Sequence, residues 1–288
     1  MGKSSFISLI FAPLLMVSCT TMEINTVTAE RDKEIYDECR YNLLYNALEG
    51  LSRAVKWQKI STIDDEPLRN YFMNMVFSAY ECYEKGDVLH IGNLEYHRNG
   101  YNILVPGAVW NAGLAFDSDY EYSIECIGEG SWRIVFTMEN FNSAFYAPST
   151  ATGDFFVQAS DVPSIAEMEF VFVSGSGRIE DEMTDDMGRR GVIDMYIEEP
   201  VNAFISDKGY DYHAHGISIE DEIESPFFDY YPYTLPVTVY KGAMSISADV
   251  YGDSGFPGQF YYADLSMASR NEHIVKILHN GIWTSYVW

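Results

Sequence analysis

The chain has 288 residues and a formal charge of -25, with 43 acidic against 18 basic side chains and a sequence pI near 4.4. Nucleic acids are held by basic patches that neutralise phosphates, so this balance excludes a nucleic-acid binder. Hydrophobic residues make up 47% and aromatic residues 15% of the chain, enough apolar surface for a packed core, which excludes intrinsic disorder. No run of 18 or more apolar residues follows the first 20 positions, which excludes a polytopic membrane protein.

The N-terminus reads as an export signal: Lys3 supplies the positive end, and Phe6 to Val17 is an apolar stretch too short to span a bilayer. Its end, Leu15-Met16-Val17-Ser18-Cys19, resembles the lipobox of bacterial lipoproteins. That resemblance implies cleavage before Cys19, acylation of Cys19 and attachment to a membrane surface through lipid chains. The expected organisation is then a signal peptide at 1–18, a polar tether at 19–28, a helical hairpin at 29–85 and an antiparallel β domain at 86–288. The expected location is the cell envelope, at the outer membrane.

From Glu30 to Trp57, Ile35, Tyr36, Cys39, Leu43, Leu44, Ala47, Leu48, Leu51, Ala54 and Val55 recur every three or four residues without an intervening Pro, the pattern of an amphipathic helix. Asp64-Asp65-Glu66-Pro67 then opens a second helix, and Leu68, Tyr71, Phe72, Met75, Val76, Ala79 and Tyr80 continue it toward Gly86. Cys39 and Cys82 fall in these two helices. Together with Cys126 they form an odd set, read as small buried hydrophobes with at most one bridge among them.

Beyond Gly86 the apolar period changes from 3.6 to 2, and turn residues interrupt every 8 to 12 positions. Strands are expected near 87–92, 101–105, 120–127, 131–138, 153–159, 167–174, 191–198, 212–220, 235–241, 243–250, 258–266, 273–279 and 282–287. Lys241-Gly242 and Asn280-Gly281 look like tight hairpin turns. Only 139–150 is long enough for a crossover helix, so the fold class is mainly β with an N-terminal helical pair: an antiparallel sandwich or barrel. The acid belongs to the β domain. Residues 31–60 carry six basic and five acidic groups, whereas residues 61–288 carry 11 and 36.

Three features point toward chemistry. His213 and His215 project from one face of an expected strand, about 7 Å apart by the strand rise, and Glu220 follows. This H-x-H-x4-E spacing resembles the first metal motif of the cupin barrels, which implies a divalent metal held by His213, His215 and Glu220. Asp207 stands where a cupin has Gly, and Glu220 needs a bulge near Gly216 to join the two His. Two His on a strand face beside acidic neighbours is the plainer description, with no cofactor. The second feature is the set of acidic runs, Asp117 to Glu121 foremost, which lack an EF-hand frame and read as solvated loops. The third is the aromatic cluster Phe227, Phe228, Tyr230, Tyr231 and Tyr233, whose ring faces suit stacking on sugars or on a protein partner.

With 43 acids a carboxylate pair can always be named, so none is nominated as catalytic, and no G-x-S-x-G elbow is present. The expectation is a lipid-anchored envelope protein whose β domain binds a ligand, such as a glycan or another envelope protein, or serves a structural part. The alternatives are a cupin-like metal enzyme and an adhesin or fimbrial subunit.

Overall fold

The computed structural model describes residues 30–77, 81–98, 102–114, 119–142, 148–159, 167–182, 188, 190–206, 237–249, 259–265 and 274–287. A long helix, α1, runs over 30–61, interrupted by a π-helical turn at Arg40–Tyr45. A shorter helix, α2, spans Glu66–Phe77; Asp65 caps it by accepting the Leu68 N–H on Oδ1 at 2.8 Å. Chain continuity then gives way to strands sooner than the helical spacing suggests, because Cys82–Lys85 pairs as β1 instead of extending α2 to Gly86.

Thirteen strands follow one another in a single antiparallel sheet in chain order: β1 (Cys82–Lys85), β2 (Val88–Ile91), β3 (Leu94–Arg98), β4 (Val109–Leu114), β5 (Tyr120–Gly128), β6 (Ser131–Asn142), β7 (Pro148–Ala159), β8 (Glu167–Asp181), β9 (Val192–Ser206), β10 (Val237–Asp249), β11 (Gln259–Asp264), β12 (Ile274–His279) and β13 (Ile282–Val287). The class, mainly β and antiparallel after a helical pair, agrees with the sequence reading. The sheet is open, and its second layer is a helix. Among the described residues there is neither ring closure nor a second sheet.

Alternation explains which face packs. On β5, Tyr120, Tyr122, Ile124 and Cys126 are buried while Glu121, Glu125 and Ile127 are exposed, and Leu89, Ile91, Leu94, Tyr96, Ile134, Phe136, Phe155 and Val157 continue the inner face. Onto it α1 lays Tyr36, Cys39, Leu43, Leu44, Leu48 and Leu51, and helix and sheet share one core.

The helix crosses the strands. Near its start Asp32 meets Tyr286 of β13, in its middle Asn46 meets Tyr122 of β5, and toward its end Trp57 donates to Glu84 of β1. Asp32 to Trp57 is about 38 Å along a helix axis, whereas 13 strands measure about 58 Å along the sheet. The sheet must therefore bow around the helix, which accounts for the breadth of the buried helical surface.

Two small residues set how closely the layers approach. A Cβ on Gly50 would lie 2.9 Å from the Tyr122 ring, and one on Gly177 would lie 2.8 Å from Leu43. Across this tight contact the Tyr122 hydroxyl donates to the Asn46 carbonyl at 2.6 Å and the Tyr96 hydroxyl to the Gly50 carbonyl at 3.3 Å.

Four expectations need correction. Residues 102–105 form a turn, not a strand, because the Asn102 side chain accepts the Leu104 N–H at 2.8 Å and its carbonyl accepts from Val105 at 3.0 Å. Lys241-Gly242 is not a hairpin turn: β10 runs through it with register shifts against β9, and Gly242 takes φ 110 against the Pro200 backbone. The described residues of 139–150 are strand, not helix. Leu94–Arg98 and Val109–Leu114 are strands where none was expected. The Asn280-Gly281 turn is as expected, with φ 50 and 79. The expected strand 212–220 lies outside the described residues.

Gly50→Ala tests the close approach by its sign. In an exposed helix this change stabilises by about 1 kcal/mol; here overpacking against Tyr122 is expected to turn it into a loss of about 1–2 kcal/mol. Denaturant midpoints of the two proteins decide between these signs.

Candidate functional site

Cys19, the His213, His215 and Glu220 set, and the Phe227, Phe228, Tyr230, Tyr231 and Tyr233 cluster all lie outside the described residues. The acidic run at Asp117 to Glu121 is described from Asp119 onward, and there Tyr120 and Glu121 belong to β5. The sheet described here is a meander in chain order, and the strand expected to carry His213 and His215 lies outside the described residues.

A different constellation forms on the outer face of β2–β6. Gly92 takes φ 59 in the β2–β3 turn, so that Ile91 faces Leu94 and His90 faces Glu95. Since Leu89, Ile91, Leu94 and Tyr96 point into the core, His90, Glu95 and His97 point out. Pairing carries this outward row across the sheet. Glu95 stands beside Gly113, Gly113 beside Glu121, and Glu121 beside Thr137. The adjacent row runs from His97 through Asn111 and Ser123 to Val135.

Gly113 lacks a side chain, which leaves a hollow between Glu95 and Glu121. The groove has a volume of about 470 Å³ and is lined by these two carboxylates with His97, Asn111, Ser123 and Thr137 among others. Two strand spacings put the backbones of Glu95 and Glu121 about 10 Å apart. At the β1 side, the Tyr83 ring stacks on His90 with centroids 4.3 Å apart. His90 Nδ1 lies 3.4 Å from one Glu95 oxygen and His97 Nε2 lies 3.6 Å from the other.

Because Glu95 divides its oxygens between two imidazoles, the three side chains do not share a centre. Among the described residues no group of three or more His, Cys, Asp or Glu is placed to hold a metal ion. The groove offers hydrogen-bond acceptors and donors on rigid strands beside an aromatic platform. The thiols of Cys39, Cys82 and Cys126 are free, and burial pushes each of them up, Cys82 to about 11, so none is a thiolate at neutral pH.

A second titratable cluster is buried at the start of α1. His279 Nδ1 lies 3.0 Å from Asp32 Oδ1, and the Tyr286 hydroxyl donates to Asp32 Oδ2 at 3.2 Å. The Tyr261 ring packs on His279 at 4.4 Å, and Asn280 Nδ2 lies 3.1 Å from His279 Nε2. Burial pushes the Asp32 carboxyl up to about 6, although the Tyr286 hydrogen bond pulls the other way. The same loss of water lowers the His279 imidazole and raises the Tyr286 phenol. Asp32 is 3% and His279 6% exposed, so this cluster joins the two ends of the fold and admits no ligand.

Sequence reasoning missed both sites. The groove had a signal, Leu-x-Ile and Leu-x-Tyr on either side of Gly92-Asn93, which already marks a hairpin with His90, Glu95 and His97 outward. The buried cluster had none, because nothing local links Asp32 to His279. Compared with known proteins, the chain matches no family model, no curated protein and no solved structure.

The buried acid makes stability depend on pH. Between its ordinary value of 3.8 and about 6, folded Asp32 holds a proton that the unfolded chain has released, so its contribution is present at pH 3.8 and lost as pH rises through 6. The lowered His279 works in the opposite direction, losing stability as pH falls below 6.5. Asp32→Asn isolates the first effect. The variant is expected to gain on the native protein by about 2–3 kcal/mol between pH 4 and pH 7, and a difference that stays flat over that range in paired denaturation curves rules the buried acid out.

Proposed function

We propose that this chain is a lipid-anchored envelope protein, held at the outer membrane through Cys19, whose sheet binds a polyhydroxylated ligand of the glycan class in the groove of β3–β6. The observation that carries this reading is the outward row Glu95, Gly113, Glu121 and Thr137, with Asn111 and Ser123 in the row beside it. Carboxylates, amides and hydroxyls on rigid strands match the alternating donors and acceptors of sugar hydroxyls. The stacked Tyr83 and His90 at the groove's end offer a ring face of the kind that packs on a pyranose.

The inner face supports this choice of surface, because its apolar side chains are buried in the core shared with α1 and the turn at Ile103, which leaves the outer face to a ligand. Phe227, Phe228, Tyr230, Tyr231 and Tyr233 stay in the proposal as a second aromatic surface for the same ligand class.

The edges of the sheet favour one further reading, a structural or adhesin-type subunit. β1 and β13 each pair on one side only among the described residues, and an open edge is a template for another strand. A chain that stays a monodisperse monomer at high concentration removes that reading.

The test is a thermal midpoint scan of the protein against oligosaccharides of several classes, with and without divalent metals and chelator. A ligand at 100 times its Kd stabilises the folded state by about 2.7 kcal/mol. The expected result is a rise with one sugar class that disappears in the Glu95→Gln, Glu121→Gln double variant. A flat sugar panel overturns the glycan reading, and a drop with chelator alone moves the assignment to the His213, His215 and Glu220 metal site.

A further inference from the structure

The hairpin β12–β13 ends in the Asn280-Gly281 turn, and the next two residues are among the most exposed large apolar side chains described, Ile282 at 67% and Trp283 at 50%. Ile282 pairs with His279 and Trp283 with Leu278, so the two side chains leave opposite faces of the same tip, and the half-exposed Trp283 ring meets Tyr262 of β11 edge-on with centroids 6.1 Å apart. Singly exposed apolar residues are ordinary. What distinguishes this pair is where the fold puts it.

The residue before the turn, His279, lies 3.0 Å from Asp32, and Tyr286 of the returning strand donates to the same carboxylate. The tip therefore stands beside the start of α1. Cys19 precedes Glu30 by only 11 positions, a contour of at most about 40 Å. A lipid on Cys19 thus keeps the start of α1, and the tip beside it, within about 40 Å of the bilayer.

The far end follows from the same helix. Gly50, which carries the contacts of Tyr96 and Tyr122, is 20 positions beyond Glu30, about 30 Å along the axis. The strands that bear the groove are thus displaced from the anchored end, and the groove stays open when the tip touches the membrane.

We propose that the tip Asn280 to Trp283 seats in the membrane interface, with the Trp283 indole at the headgroup level on one face of the hairpin and Ile282 on the other. This rests on the lipid-anchor reading of Cys19. Trp suits that place because its ring is largely apolar while its N–H still finds a polar partner among headgroups. The turn suits it because a two-residue hairpin presents its flanking side chains rigidly. The occupant is the bilayer rather than a protein, since on the anchor reading lipid lies within the tether's reach of this edge of the fold.

The experiment uses the full chain in its lipidated form. Mass spectrometry first reads acylation of Cys19. The protein is then reconstituted into phosphatidylcholine vesicles with or without brominated acyl chains, and tryptophan emission is compared between the native chain and Trp283→Phe. Their difference is the Trp283 signal, expected to fall at least about two-fold in brominated vesicles. Tyr196→Trp in the Trp283→Phe background places an indole on the outer face of β9, where Tyr196 is 52% exposed, and its emission is expected to be unquenched.

A chain whose Cys19 carries no acyl mass overturns the anchor reading and the tip assignment with it. A lipidated chain whose Trp283 signal is unquenched overturns the tip assignment alone, as does equal quenching at position 196. A Trp283 emission maximum that shifts on dilution without lipid assigns the tip to a second copy of the chain and also overturns the proposal.

Discussion

The seam between Gly50 and Tyr122 is the contact on which the rest of the arrangement depends. Removing a side chain from the middle of a helix costs about 1 kcal/mol in propensity, and here it lets an aromatic ring lie against helical backbone. The Tyr122 and Tyr96 hydroxyls, which would be costly to bury alone, are then satisfied by the Asn46 and Gly50 carbonyls. Ring, hydroxyl and glycine are each poor choices separately. Together they fix the height and rotation of α1, and with it the direction in which every inward side chain of the sheet must point.

From that docking the division of labour between the two faces follows. Trp110, Trp132, Phe136, Phe155, Phe170 and Phe172 are fully buried on the inner face, each worth about 1.5–3 kcal/mol of transfer free energy. That face is spent on the helix. Recognition is left to the outer face, where alternation already places the polar residues, and the strands of β3–β6 give those residues fixed spacing. A bidentate pair between Arg133 and Asp154 further along the same face shows the same cross-strand logic used for structure instead of binding.

How much was legible in the sequence depended on the range of the cause. The helix over 30–57 and most strands from Tyr120 onward could be read, because a 3.6-residue or two-residue period is a local property of an element facing one core. Asn280-Gly281 could be read because the turn's own dihedrals demand those residues. Lys241-Gly242 misled because a glycine admits two backbone solutions, a turn or a strand crowded by its neighbour. Only the Pro200 backbone decides for the second. Cys82–Lys85 misled for a related reason: one half-buried residue followed by three exposed ones carries no period, and their pairing with β2 is the whole of their signal. The groove depended on register across four strands, and the buried acid on a contact spanning nearly the entire chain. Neither leaves a local trace.

The Asp32 contact shows why the two ends of the fold behave as one unit. Asp32 and Tyr286 are 254 positions apart, and the helix that carries Asp32 forms first in chain order while its partner strand comes last. Nearest-neighbour strand pairing is local and closes short loops at small entropic cost, but this contact closes the whole chain. Nor does pairing hold β13 near the helix start, since β13 is an edge strand of an open sheet. What offsets those costs is the burial of Tyr261, Val275 and Ile277 in the shared apolar core, with the Tyr286 hydroxyl donating to Asp32. Polar burial of this kind is unforgiving: a carboxylate turned inward without Tyr286 and His279 is far worse than none. The last hairpin therefore docks in one position or not at all, and that single position sets where its exposed tip stands relative to the tether.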